Sequence, residues 1–147
     1  MGWVSPTSHI DGAKAWSNGA NAYDGSLSTY ATAGSKDYSI ELLIDAILCS
    51  KVRIYTSGSY DTEPITAATI EVFYDGAYNT LLDGAGIAFK EWVEYEIGST
   101  ETVTKVQLTL NNFLTFNCYE FEFWSVEAAP ATPPAIKFCA TPRSYYY

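Results

Sequence analysis

The sequence has few basic residues and a single histidine, His9. It carries 8 Lys and Arg against 17 Asp and Glu, which gives a formal net charge of −9. No Lys/Arg cluster offsets this charge, so phosphate backbones and anionic membrane surfaces would be repelled. The composition therefore predicts no nucleic-acid partner. It is compatible with cation binding, with neutral sugars, or simply with a soluble surface.

Long apolar runs are also missing. No stretch approaches the roughly 18 apolar residues needed to span a bilayer, and no basic start followed by an apolar core marks a signal peptide. We therefore expect no membrane insertion, and either synthesis in a cytoplasm without a visible signal peptide or removal of an export signal. Action outside a cell would then follow release as part of a particle.

The three cysteines, Cys49, Cys118 and Cys139, show no CxxC spacing, and one histidine makes a structural zinc site improbable. Cys49 and Cys118 are expected to be buried as small apolar residues. Cys139 either stays free or pairs with another chain.

Patterns typical of catalysis are scarce. There is no Gly-x-Ser-x-Gly turn, and His9 is the only candidate for a triad histidine. Two acidic pairs invite comparison with a glycosidase: Glu94 with Glu96, and Glu120 with Glu122. Each pair alternates along one face of one strand, about 7 Å apart at the backbone, whereas glycosidase carboxylates converge across a cleft. The sequence predicts a protein that is not an enzyme.

Aromatic and apolar residues are plentiful, at 16% and 48% of the chain, and favour strands. No segment carries the 3.6-residue apolar period of a helix, whereas seven or so segments alternate apolar and polar residues. Asp75-Gly76 predicts a tight hairpin. Because each sheet must bury its apolar face, we predict an all-β, two-sheet sandwich. The predicted strands cover residues 38–45, 51–56, 69–74, 78–82, 92–97, 102–110 and 119–126.

The composition changes at residue 128, and four of the six prolines follow it. We therefore divide the chain into a domain, 1–127, and an extended C-terminal arm, 128–147, partly in polyproline II conformation. The arm either packs on its own domain or docks on a neighbouring subunit, since tyrosine is enriched at interfaces. Its proposed anchors are Ile136, Phe138, Cys139, Tyr145, Tyr146 and Tyr147.

Residues 15–18 (Ala-Trp-Ser-Asn) and 21–30 (Asn-Ala-Tyr-Asp-Gly-Ser-Leu-Ser-Thr-Tyr) carry a family pattern. They resemble the opening of the discoidin, or coagulation factor 5/8 C-type, domain, with Tyr30 where members usually have Trp. Residues 38–55 are similar to the next two strands of that family, and 118–123 to its closing strand. The resemblance covers about residues 3–126. It implies a galactose-binding-like jelly-roll sandwich of about eight antiparallel strands.

In many members of that family a structural Ca²⁺ lies beside the Asp-Gly loop. The resemblance implies that Asp24 and Glu120 supply carboxylates and that Thr29 adds a hydroxyl or carbonyl oxygen. Main-chain carbonyls of Ala22, Ser26 and Tyr119 would complete the shell, which suits the six to eight oxygens that calcium takes. Alternatively, Asp24 only caps a turn and Glu120 is solvated.

Relatives that bind sugars use variable loops at one end of the sandwich, where aromatic rings stack on sugar faces. Each candidate residue has a structural role as its alternative. The candidates are Tyr30, Tyr60, Asp61, Trp92, Asn111, Asn112 and Phe113.

Two functions remain open. The chain is either a carbohydrate or cell-surface binding module with a structural calcium, or a structural protein of a larger assembly, such as a virion decoration or tail-associated protein. In the second case the arm joins it to copies of itself or to other subunits. The two are compatible, so we predict a non-catalytic binding and assembly module displayed on a virion or extracellular surface. The alternatives are a cement protein without a glycan ligand and a free-standing lectin-like module.

Overall fold

A computed structural model describes residues 1–12, 14–112 and 115–126. The predicted arm and its six anchor residues lie outside these ranges, so the boundary at residue 127 stays a prediction. In the described ranges the chain forms β-strands and two short 3₁₀ helices, Gly19–Tyr23 and Ser59–Asp61, and no helix is long and apolar enough to cross a membrane. The strands are β1 (Gly2–Val4), β2 (Ser8–Ile10), β3 (Trp16–Ser17), β4 (Ala31–Ala33), β5 (Ser39–Ser57), β6 (Ile65–Tyr74), β7 (Ala77–Ile87), β8 (Trp92–Leu110) and β9 (Phe116–Ser125).

The strands pair antiparallel in the order β3-β4-β9-β5-β8-β6-β7, with β1 added on β9 and β2 added on β5. The sequence predicted two separate strands within β5 and two within β8, and this was wrong. Each is one continuous strand of 19 residues. Register shifts between Leu43 and Ile47 and between Cys49 and Lys51 interrupt the β5–β8 pairing. Such bulges bend and twist a strand, so one half of each long strand serves each sheet of the sandwich.

The alternation predicted from the sequence is confirmed in the core. Fully buried side chains from both halves of the sandwich belong to one cluster, which shows that the two sheets pack face to face. Burying each large apolar side chain stabilises the fold by about 1.5–3 kcal/mol. The core includes Ile40, Leu42, Val52, Ile54, Ile70, Val72, Val106, Leu108, Phe121 and Phe123, each at most 1% exposed. A two-sheet antiparallel jelly roll is therefore the fold.

Two local predictions also hold. Asp75 and Gly76, with φ of 53° and 75°, form the two-residue turn between Tyr74 and Ala77, which pair with each other. Positive φ at both positions is what this hairpin turn needs. Cys49 and Cys118 are fully buried as free thiols, and burial raises the pKa of Cys49 to about 11. Cys139 lies outside the described residues.

Strand registers place several connections at one end of the sandwich. Ser57, the last residue of β5, pairs with Asn117 near the start of β9, and Trp92, the first residue of β8, pairs with Tyr55. At the same end β6 starts where β7 finishes, since residue 65 pairs with residue 87. We call residues 58–64, 88–92 and 111–112 the loop end.

Candidate functional site

The polar loop that follows the first 3₁₀ helix meets the last strand at two carboxyl groups, Asp24 and Glu120. Asp24 accepts hydrogen bonds from the Ser26 N–H (2.9 Å) and the Thr29 hydroxyl (2.5 Å). Glu120 Oε2 accepts the Gly25 N–H at 2.7 Å. The side chain of Glu120 is buried, and its Oε1 has no hydrogen-bond partner. The alternative of a solvated Glu120 is therefore wrong, whereas Asp24 does cap a turn.

The two carboxyl groups titrate differently because their surroundings differ. Burial raises the pKa of Glu120 to about 7; the Gly25 N–H opposes this shift, and the neighbouring Asp24 carboxylate adds to it. Burial also raises the pKa of Asp24, but hydrogen bonds from Thr29 and Ser26 outweigh it, and the net pKa lies below its ordinary value. At neutral pH the two carboxyl groups thus form a site that favours the binding of a proton or a cation.

Part of this donor set suits the calcium that the family resemblance implies. An unpartnered buried carboxylate oxygen beside a second carboxylate is what a hard cation would bind. Across the described ranges no group of three or more His, Cys, Asp or Glu side chains lies together, so carbonyls and hydroxyls would have to complete the shell. Two of the predicted carbonyl donors, Ala22 and Tyr119, are buried. Each lies close in sequence to one of the two carboxylate residues. The hydroxyl of the third, Ser26, bonds with Ser28 at 2.8 Å.

At the loop end, Asp61 anchors residues 58–64. Its Oδ1 accepts hydrogen bonds from the Ser57 hydroxyl (2.5 Å) and the Tyr119 hydroxyl, and its Oδ2 lies 3.2 Å from Lys90 Nζ. Burial raises the pKa of Asp61, but these hydrogen bonds hold the net pKa below its ordinary value. Asp61 was predicted to contact a ligand; in the structure its carboxylate holds the loop in place.

Tyr60 projects from this anchored loop with 90% of its surface exposed, more than any other large hydrophobic residue described. Tyr60 and Asp61 both have left-handed backbones, with φ of 56° and 59°. The loop is closed tightly at Gly58, where a Cβ would lie 2.5 Å from the carbonyl oxygen of Pro64. Strained backbone persists only where the surrounding contacts enforce it, and it clusters at functional sites. The loop therefore holds an aromatic ring in solvent.

Two other predicted aromatic ligands are packed into the sheet surface. Tyr30 lies against Tyr119, with ring centroids 5.1 Å apart. Trp92 lies 5.6 Å from Tyr55 and stacks 3.9 Å from the Arg53 guanidinium. Both rings are half-buried, so their contacts are at least partly structural.

The predicted asparagines bind neighbouring threonines. Asn111 Oδ1 accepts the hydroxyl hydrogen of Thr69 at 2.6 Å, and Asn112 donates to the hydroxyl of Thr66. These bonds tie the end of β8 to the start of β6. Phe113, the last predicted ligand residue, lies outside the described residues.

Sequence reasoning missed Lys90, which joins the Asp61 anchor. Its ammonium lies 5.5 Å from the Phe89 ring centroid and 5.6 Å from that of Tyr119. Its backbone N–H also bonds to Thr56 at 2.8 Å. The sequence gives no signal for this lysine, because the contact depends on how the β7–β8 connection packs against Asp61, against Thr56 on β5 and against Tyr119 on β9.

His9, the only histidine of the chain, has a structural partner. Its Nδ1 lies 2.8 Å from the Tyr23 hydroxyl, and its ring packs at 5.8 Å from the Tyr23 ring. These contacts give His9 a structural role. The contact fixes the 3₁₀ helix that precedes Asp24 against β2.

The same jelly-roll fold occurs in solved carbohydrate-binding modules. Similar solved structures include CBM32-1 from a family 31 glycoside hydrolase of Clostridium perfringens, with a TM-score of 0.64 and 15% identity over 82% of this chain and 96% of that one. The CBM32 of AlyQ in complex with 4,5-unsaturated mannuronic acid matches with a TM-score of 0.62 and 15% identity, over 84% and 98%.

Chitosan-binding module 1 from a chitosanase/glucanase of Paenibacillus sp. IK-5 matches with a TM-score of 0.61 and 17% identity, over 83% and 96%. No protein-family model and no curated protein matches the sequence. At these identities the likeness confirms the fold predicted from the loop motif.

Proposed function

We propose that this chain is a non-catalytic carbohydrate-binding module that holds its sugar at the loop end, with Tyr60 as the aromatic platform. The observation that carries the proposal is the 90% exposure of Tyr60 on a strained, anchored loop. The anchored backbone presents Tyr60 at the surface, so a sugar can stack on its ring without the entropic cost of ordering the loop. The matched modules named for chitosan and mannuronic acid have the same fold, which supports a sugar as the ligand.

The acidic pairs support a binding role over a catalytic one. Glu94 pairs with Lys51 at 2.8 Å, and Glu122 pairs with Arg53 at 2.5 Å. These carboxylates are thus neutralised on the outer face of the sheet. Glycoside hydrolysis needs two carboxyl groups that face each other across a cleft. Glu94 and Glu122 do not form such a pair.

We also propose that Asp24 and Glu120 hold a structural calcium. The ion would bridge the polar loop to β9 and neutralise the buried carboxylate of Glu120. Its role would be to stabilise the fold, since neither carboxylate belongs to the residues 58–64 that present Tyr60.

The test is glycan binding by the full-length chain. Affinity electrophoresis against a panel of neutral polysaccharides, followed by calorimetry with oligosaccharides of the one that retards the chain, should show saturable binding. Tyr60→Ala should abolish it and Tyr60→Phe should retain most of it. Leu27→Ala is the matched control, because Leu27 is also exposed (47%) but lies outside the loop end. Equal binding by Tyr60→Ala and the unaltered chain would overturn this assignment.

Display on a larger particle is a separate part of the proposal. It depends on the composition of residues 128–147, which lie outside the described residues. Light scattering on the full chain and on a chain that ends at Glu127 tests it. An oligomer that becomes a monomer on truncation would support an assembly arm, and two monomers would remove that role in self-association.

A further inference from the structure

A cleft of about 260 Å³ is lined by residues that belong neither to the loop end nor to the Asp24 and Glu120 pair. It is lined by Ile10, Gly12, Asp37, Ser39, Glu41 and Gln107, and we call it the β2–β5–β8 cleft. Its floor follows one cross-strand row, because Ile10 pairs with Glu41, and Glu41 pairs with Gln107. The neighbouring residues of β5 and β8 point into the core and are fully buried. The polar members of the row therefore face outward.

The hydrogen-bonding groups of the cleft are held in place. Glu41 Oε2 accepts hydrogen bonds from the Tyr78 hydroxyl and from Lys105 Nζ (3.2 Å), so its carboxylate is fixed from the side of β7 and β8. Asp37 has a left-handed backbone, with φ of 65°, and its N–H bonds to the Leu110 carbonyl at 2.6 Å. Strain enforced in this way at a concave surface is typical of binding sites.

The chemistry of the lining suits a polyhydroxylated ring. Asp37 and Glu41 supply acceptors, and the Ser39 hydroxyl and the Gln107 amide can both donate and accept. Ile10, with 51% of its surface exposed, adds an apolar contact at the edge. A sugar ring presents hydroxyl groups on one side and C–H groups on the other, and these match the polar and apolar groups of the lining.

The volume and the charge of the cleft restrict the class of ligand further. The cleft lies just under the range of about 300–1,000 Å³ found for small-molecule sites, which suits one sugar residue. Its lining holds two carboxylates and no basic side chain, while the nearby Lys105 is paired with Glu41. Uronates and other acidic sugars would be repelled.

We propose that the β2–β5–β8 cleft binds one neutral monosaccharide residue, as a second sugar site that is independent of the loop end. Its hydroxyl groups are bound by Asp37, Ser39, Glu41 and Gln107. Ile10 contacts its apolar face.

Nuclear magnetic resonance titration of the full-length chain tests the proposal. The probes are methyl β-D-galactopyranoside, methyl β-D-glucopyranoside and methyl α-D-mannopyranoside, with D-galacturonic acid as the charged comparison. We expect saturable shifts of the Gln107 side-chain amide and the Ile10 methyl groups with at least one neutral glycoside and none with the acid.

Variants assign the shifts to the cleft. Gln107→Ala and Ser39→Ala should each weaken binding there by about 2- to 12-fold, the range expected for one hydrogen bond. Glu71→Gln is the matched control, because Glu71 pairs with Gln107 from β6 in the same cross-strand row but does not line the cleft. It should leave the affinity unchanged.

The two sugar sites can fail separately. Shifts at Tyr60 without shifts at Gln107 and Ile10 would overturn the cleft and leave the loop end standing. Shifts in the cleft alone would support the cleft and overturn the loop-end assignment. A chain in which no probe moves either set, or in which the acid shifts the cleft equally, would overturn the cleft.

Discussion

Gly25 donates its backbone N–H to the Glu120 carboxylate at 2.7 Å, a contact between residues 95 positions apart. It joins the polar loop to the last strand and leaves Glu120 Oε1 buried without a partner. One oxygen of this carboxylate is thus satisfied by the fold itself. The other oxygen, Oε1, is the one that a proton or a cation would bind.

Removal of calcium should therefore destabilise the protein. At a hundredfold excess over its Kd the ion adds about 2.7 kcal/mol to the free energy of unfolding, which for a chain of this size raises the Tm by roughly 10 °C. Calorimetry with and without EDTA measures this difference. Asp24→Asn should lower the Tm in calcium and make EDTA ineffective, whereas Asp75→Asn, in the exposed hairpin turn, should keep the response. An EDTA-insensitive Tm would remove the site.

The metal-free protein should also lose stability as the pH rises. The pKa of Glu120 is raised to about 7 from an ordinary value of 4.5, so the folded state binds its proton more tightly than the unfolded state. Stability from this group is then highest below about pH 4.5 and falls as the pH rises through about 7, by up to about 3 kcal/mol.

Urea unfolding of the unaltered chain and of Glu120→Gln in EDTA, from pH 4.5 to 8, isolates the effect. The difference between the two curves should change with pH in the stated direction and flatten when calcium is added. A difference that stays constant across this range would show that Glu120 titrates normally.

Asp61→Ala should weaken both the fold and sugar binding. The change leaves the Ser57 and Tyr119 hydroxyls without their acceptor, a loss of about 1–3 kcal/mol. Tyr60 loses the anchor of its loop at the same time. Denaturant unfolding and glycan titration measure the two effects.

Tyr60→Gly provides the contrast, because it removes the ring while glycine accepts the positive φ without strain. It should abolish sugar binding yet hold or raise stability. If Asp61→Ala left both the stability and the sugar affinity unchanged, the hydrogen bonds of Asp61 would contribute to neither.

Arg53 should stabilise the N-terminal strand by stacking. Its guanidinium lies 4.3 Å from the Trp3 ring and 3.9 Å from the Trp92 ring, and its Nε donates to Glu122 at 2.7 Å. Arg53→Lys keeps the charge but loses the planar stack and the second hydrogen bond, so we expect a loss of about 1–2 kcal/mol and a changed near-ultraviolet tryptophan signal.

Lys51→Arg serves as the control for this change, since Lys51 lies on the same strand with its Nζ 5.4 Å from the Trp3 ring. That variant should stay within about 0.5 kcal/mol of the unaltered chain. Equal effects of the two substitutions would mean that the stack contributes nothing beyond charge.

The core was predictable because alternation is local. Val106 and Leu108 were assigned inward from neighbouring residues alone, and both are fully buried. The continuity of β5 was not predictable, since the register shift after Leu43 depends on its pairing with β8. Sequence spacing cannot show where a bulge lets one strand serve two sheets.

The candidate sites, like the fold, were predictable from the sequence only in part. Asp24 and Glu120 could be named together from the sequence because the family resemblance links them, and the structure places Glu120 against the N–H of Gly25, the residue after Asp24. The cleft was missed, because Glu41 and Gln107 read as ordinary outward residues of separate strands. Only the register makes them neighbours. Tyr60 was identified as a candidate, but its strained backbone and its anchor at Asp61 required coordinates.

The pairing of Gly2 with Ser125 has a consequence for how this domain is carried. Entry and exit of the described chain lie side by side, while β9, 10 residues long, separates them from the loop end by roughly 30 Å. A tether or neighbouring domain attached at either point would thus start far from Tyr60. In such an arrangement the sandwich would act as a spacer that holds the loop end away from the point of attachment.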